Sequence, residues 1–114
     1  MNKTVKKMWL KALRDGDYDQ GTEALHPGDE FCCLGVLCDL HRIRENGDWD
    51  EDEYEGENGS LPDIVTKWAD LPDCNPDVVP IENDKDKVSS WTLAGLNDAG
   101  YTFNEIADII EKEF

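Results

Sequence analysis

Apolar residues in this chain recur at the three- and four-residue spacing of a helical face, and they predict five helices. Val5, Met8, Trp9, Ala12 and Leu13 make the first stripe. It predicts a helix over residues 4–14, with Thr4 as N-cap and Gly16 as the stop. Lys3, Lys7 and Lys11 line a different face of it, the solvated side of a core-packing helix. After a turn-rich segment, a second helix is predicted over residues 30–45, apolar all round in its first half and continuing through Cys33, Val36, Leu37, Leu40 and Ile43. This reads as the central buried helix, with Gly35 letting a neighbour approach closely and Gly47 fitting its end.

Residues 46–60 read as a loop or short hairpin in which Trp49 and Tyr54 are the only anchors. A third helix is predicted over 61–71, opened by a capping box of Ser60 and Asp63, buried through Leu61, Ile64, Val65 and Trp68, and ended by Pro72. Residues 72–88 read as irregular, with a short strand over 78–81. Helices over 90–98 and 103–113 follow, and Asp98 is expected to reach the N–H groups that open the last one. Thr102 and Glu105 form a capping box there, Tyr101 and Ile106 stand as a hydrophobic staple, and Gly100 supplies the left-handed turn. Phe103, Ile106, Ala107, Ile110 and Phe114 make the final stripe. The fold expected is mainly α, a single compact domain over residues 1–114. The core expected is Trp9, Leu13, Leu34, Leu37, Trp68, Leu96, Ile106 and Ile110.

Composition narrows the function classes. The longest unbroken apolar or small run is the eight residues from Phe31 to Cys38, far short of the roughly 20 that a spanning helix needs. Lys11 and Arg14 interrupt any signal-peptide core, so a cytoplasmic protein is expected. Cys32 and Cys38 on one helix stand about 9 Å apart along its axis, beyond the disulfide limit of about 7 Å. At most one bridge, to Cys74, is expected. The net charge is −16, unevenly spread. Residues 1–14 hold five basic side chains and no acidic ones, and the remainder holds 27 acidic and six basic. Such a field repels nucleic acid and anionic membrane and attracts basic protein surfaces.

Between Asp48 and Glu57 there are seven acidic residues and no basic one. Asp48, Asp50 and Asp52 match the first ligands of an EF-hand loop, but Glu53 stands where glycine is required and Gly59 where the bidentate glutamate is required. Cys32, Cys33, Cys38, His26 and His41 invite zinc or thiol chemistry, yet no Cys-x-x-Cys pair exists and no second ligand pair accompanies Cys38 and His41. No phosphate-binding glycine loop is present, and neither metal nor cofactor is expected.

Leu96 to Ile110, LNDAGYTFNEIADII, resembles the opening of a DNA-binding helix-turn-helix. The sign of the charge and the absence of sequence for a recognition helix after Phe114 weigh against that use, so a well-capped corner is expected instead. Four segments together are WLKALRDGDYDQG (residues 9–21), FCCLGVLCDL (31–40), LPDIVTKWADL (61–71) and LAGLNDAGYTFNEIADII (93–110), covering about half of the chain. They resemble a family of small uncharacterised proteins of bacteriophages and bacteria, with CCLGVLCDL the most specific piece. The resemblance implies a small protein acting inside an infected cell by binding host or defence proteins. It assigns no residue a role.

The reading favoured by charge and spacing is a binding protein that meets a basic surface of a host protein through Asp48, Asp50, Glu51, Asp52, Glu53 and Glu55. One alternative is a small-ligand binder or enzyme with a pocket lined by His26, His41 and the cysteines. Another is a structural protein whose charge serves solubility alone.

Overall fold

The computed structural model describes residues 1–78 and 91–114. It contains five helices and two short antiparallel strand pairs, so the chain is mainly α, as its apolar spacing predicts. Helix α1, Lys3–Arg14, presents Val5, Trp9, Ala12 and Leu13 to the core. Its N-cap is Asn2, whose side chain accepts from the Val5 amide, and not Thr4. Asp15 is the C-cap, and Gly16 follows it at φ +76°, the left-handed residue that ends the helix. Lys3, Lys7 and Lys11 are all exposed, as expected.

Helix α2, Cys33–Glu45, is the buried centre and starts three residues later than its apolar run suggests. Phe31 is extended, bridging Gln20, and Cys32 is the N-cap with its sulfur accepting from the Gly35 amide. The helix ends on Asn46 in the left-handed conformation, so Asn46 rather than Gly47 supplies that turn. Leu40 is half-buried and Ile43 is 56% exposed, so the predicted stripe leaves the core in the last turn.

Residues 15–32 cross α2 as a strap. A Cβ at Gly35 would lie 1.8 Å from the Leu25 carbonyl oxygen, so the strap backbone rests directly on the helix. The Cys32 amide donates to that same carbonyl at 3.1 Å. Asn97 closes the other side. Its Oδ1 accepts from the Cys33 amide and Gln20 Nε2, and its Nδ2 donates to the Gly21 carbonyl. One buried amide thereby satisfies an orphan donor at the α2 N-terminus and ties the strap to the C-terminal half.

Strands β1, Trp49–Asp50, and β2, Glu53–Tyr54, form a hairpin within 46–60. Helix α3, Asp63–Ala69, is shorter than predicted. The Ser60–Asp63 capping box does not form; Pro62 is the N-cap with no side-chain bond. The helix stops with Asp70 left-handed, before Pro72. Ile64 is 49% exposed rather than buried, and Trp68 is half-buried. Strand β3, Asp77–Val78, pairs with β4, Trp91–Thr92. The remainder of the strand expected over 78–81, and Ser90 of the fourth helix, lie outside the described residues.

Helix α4, Leu93–Asp98, is capped by Thr92, and α5, Phe103–Glu113, has the predicted boundaries and the predicted Thr102–Glu105 capping box. Gly100 sits at φ +104° between them. Asp98 accepts from the Glu23 amide at 3.0 Å, which ties it to the strap instead of to α5. Ile109 joins the expected stripe in the core, and Phe114 is half-buried. Helix α1 packs on α5 and α2, and α2 on α3 and α4, so one core links every helix. Among the described residues no helix is long and apolar enough to cross a membrane.

Leu37 and Ile106 are fully buried, so Leu37→Ala or Ile106→Ala should each cost about 2–5 kcal/mol in urea unfolding. Gly35→Ala adds only a methyl group at a helical position, where helix propensity alone would favour it. Because that methyl meets backbone, the variant should instead be destabilised by more than about 1 kcal/mol. A Gly35→Ala protein as stable as the parent would show that the strap does not rest on α2.

Candidate functional site

The last turns of α2 carry Asp39, His41 and Arg42 beneath the hairpin. Asp39 is 6% exposed, and a carboxylate there requires partners on both oxygens. Its Oδ1 accepts from Arg42 Nε at 2.6 Å and Trp49 Nε1 at 3.0 Å. Its Oδ2 accepts from the Tyr18 hydroxyl at 2.7 Å and from Arg42 Nη2 at 3.3 Å. Burial acts to raise the Asp39 pKa, but the bonds from Arg42, Tyr18 and Trp49 outweigh it and hold the carboxyl below its ordinary range. The same site pushes the Tyr18 hydroxyl up, through burial first and its hydrogen bond to Asp39 second.

Two residues along α2, His41 Nδ1 lies 2.7 Å from the Tyr54 hydroxyl. Burial lowers the His41 pKa, against the opposing charges of Glu45 and Glu55, and this favours the neutral ring at pH 7. Tyr54 is fully buried, and burial pushes its pKa up to about 12. Gly47 leaves room for it: a Cβ there would lie 2.1 Å from the Tyr54 oxygen.

Around these groups runs a continuous belt of rings. His26 stacks on Phe31 with centroids 3.9 Å apart, and Tyr18 meets Phe31 edge-on at 5.0 Å. Trp49 touches His26, Phe31 and Tyr54, and His41 packs edge-on against Trp68. Trp49 and Tyr54 are cross-strand partners, so the inward face of the hairpin is aromatic and the intervening positions point outward.

Those outward positions are the acidic ones. Asp48, Asp50, Glu51, Glu53 and Glu55 are exposed and Asp52 is half-buried. None of the six forms a salt bridge among the described residues. Glu51 and Glu55 hold φ of +57° and +51°, a region that disfavours side chains bearing a Cβ. The hairpin's return is pinned by two hydrogen bonds between Tyr54 and Glu57 and by the Leu25 amide on the Asn58 carbonyl. The expected acidic segment is therefore a hairpin, hydrogen-bonded at its return, with most of its carboxylates exposed.

The two histidines bond to groups other than the cysteines. His26 bonds the Glu30 carbonyl and stacks on Phe31, while His41 is held by Tyr54 and Trp68. Cys32, Cys33 and Cys38 are buried free thiols, and Cys74 is also free. Burial pushes Cys32 up to about 11 and raises Cys33 and Cys38 well above the ordinary thiol range. Among the described residues no group of three or more His, Cys, Asp or Glu side chains is placed to hold a metal ion.

Sequence reasoning passed over Asp39, the hub of the arrangement. Its signal was an acid inside an apolar helical run with an arginine three residues on. Tyr18 and Phe31 gave no signal, because their roles arise only when the strap crosses α2.

A family model for a domain of unknown function (DUF8296) matches residues 1–114. No curated protein and no solved structure matches the chain.

Because the folded Asp39 carboxyl is held below its unfolded value of about 3.9, its contribution is fully present above that pH. It is lost as pH falls through the folded value. Asp39→Asn should therefore cost about 2 kcal/mol at pH 7, and the gap to the parent should close as unfolding is repeated toward pH 2. A constant gap would show that Asp39 is not ionised in the folded protein. Tyr54→Phe strips a buried His41 nitrogen of its partner and should cost about 1–3 kcal/mol by the same unfolding assay.

Proposed function

The chain belongs to DUF8296, a family of domains of unknown function, and we propose that it is a binding protein whose acidic hairpin docks on a basic surface of another protein. The observation that carries this reading is the seating of the hairpin: carboxylates without a salt bridge among the described residues, presented on a backbone anchored by Trp49 and Tyr54. A flexible acidic tether would serve solubility as well and would need no such anchor. Holding like charges together on a rigid support is unfavourable in the free protein and is offset when a cationic surface arrives. Preorganisation also lowers the entropy cost of association.

Three of the chain's cations are paired away from the hairpin's carboxylates: Arg14 with Asp108 and Glu111, Lys11 with Asp15, and Arg42 with Asp39. The resemblance to small phage and bacterial proteins points to host or defence proteins as the class of partner and to a cell's interior as the setting. Nucleic acid, which would bring more negative charge to a surface of net −16, is not the proposed partner.

The test is the association rate with a partner captured from host lysate. Exposed charges are screened over about 8 Å at physiological ionic strength, so association should slow steeply with salt. Replacing Asp50, Glu51, Asp52 and Glu53 by their amides should slow it by about ten-fold at low salt and flatten the salt dependence. An unchanged rate and slope would remove the hairpin from the interface.

A further inference from the structure

Beside the hairpin's return lies a cleft of about 360 Å³, between residues 55–57 and the start of α3. Its apolar lining is Leu61, Pro62 and Ile64, and its carboxylates are Glu55, Glu57 and Asp63. Leu61 is buried, whereas Ile64 is 49% exposed, one of only two large apolar side chains so exposed among the described residues. The three carboxylates are all exposed, and none forms a salt bridge among the described residues. The walls are fixed: the Leu61 amide donates to the Cys74 carbonyl, and Tyr54 and Glu57 exchange two backbone bonds.

We infer that this cleft receives an arginine side chain of the basic partner, with its methylenes against the exposed Ile64 and its guanidinium among Glu55, Glu57 and Asp63. The inference rests on the reading of the hairpin as a docking element, since Glu55 belongs to both. An exposed apolar side chain beside carboxylates that form no salt bridge among the described residues selects the occupant. A neutral apolar ligand would strip water from three charges and leave them unpaired, which is costly. A bare cation would leave the exposed Ile64 uncovered, and no metal-holding group exists here among the described residues. An arginine has an apolar stem and a planar head that meets carboxylates two bonds at a time, so it satisfies both halves of the cleft.

The probe is acetyl-hexaarginine amide, titrated into the isotope-labelled full chain and followed by backbone amide NMR shifts. Saturable shifts at Ser60, Leu61, Ile64 and Cys74 are expected. The variant Glu55→Gln/Glu57→Gln/Asp63→Asn should weaken binding about ten-fold, against less than about two-fold for Asp17→Asn/Asp29→Asn/Glu30→Gln, which removes the same charge elsewhere. Ile64→Ser, which leaves the charge unchanged, should weaken it about three-fold. Equal weakening by the two charge triples, or no effect of Ile64→Ser, would overturn the cleft. Loss of binding on amidating residues 50–53, with the cleft triple behaving like the control triple, would overturn the cleft and leave the hairpin reading standing. If neither the hairpin variant nor the cleft triple differed from the control triple, both would fall.

Discussion

The arrangement depends on one backbone-on-backbone contact, where the Leu25 carbonyl rests on Gly35. Only a residue without a Cβ allows it, and the Cys32 amide then closes a hydrogen bond to that same oxygen. Leu25 is fully buried, and its own amide bonds Asn58 on the return of the hairpin. One residue of the strap thus touches the central helix on one side and the acidic projection on the other. The strap also delivers Tyr18, His26 and Phe31 to the ring belt, so the seat of Trp49 follows from the absence of a single methyl group.

Much of this was legible where local rules decide. The last helix, its capping box and the left-handed Gly100 were readable because each depends on neighbours within four residues. So were the two aromatic anchors of residues 46–60, left open between loop and hairpin, and the close approach at Gly35. The start of α2 was not, because Phe31 is drawn into a bridge with Gln20 and Asn97 reaches from 64 residues away to the Cys33 amide. The Ser60–Asp63 box failed for a similar reason: Leu61 is tied to Cys74, and the chain enters α3 through Pro62. Ile43 and Ile64 continued apolar stripes on paper, but their helices turn those positions past the edge of the core. The Asp39 hub gathers Tyr18, Arg42 and Trp49 from three elements, and the cleft combines residues 55–57 with 61–64; spacing along the chain carries neither.

The site also separates two kinds of interaction. The hairpin is held from beneath by rings, buried hydrogen bonds and a desolvated Asp39, which dissolved ions screen little. Its outer face presents carboxylates in water, where ions screen strongly. Salt can therefore weaken the field of the hairpin's outer face while leaving its shape in place.

The three thiols on and before α2 carry a different consequence. Cys32, Cys33 and Cys38 are buried and protonated at neutral pH, so alkylating reagents meet neither an accessible sulfur nor a thiolate. They become reactive only when the strap lifts or α2 frays. The chain therefore contains its own clock for local opening: a thiol that ages at the rate set by the population of the opened state, read one sulfur at a time along the first turns of the central helix.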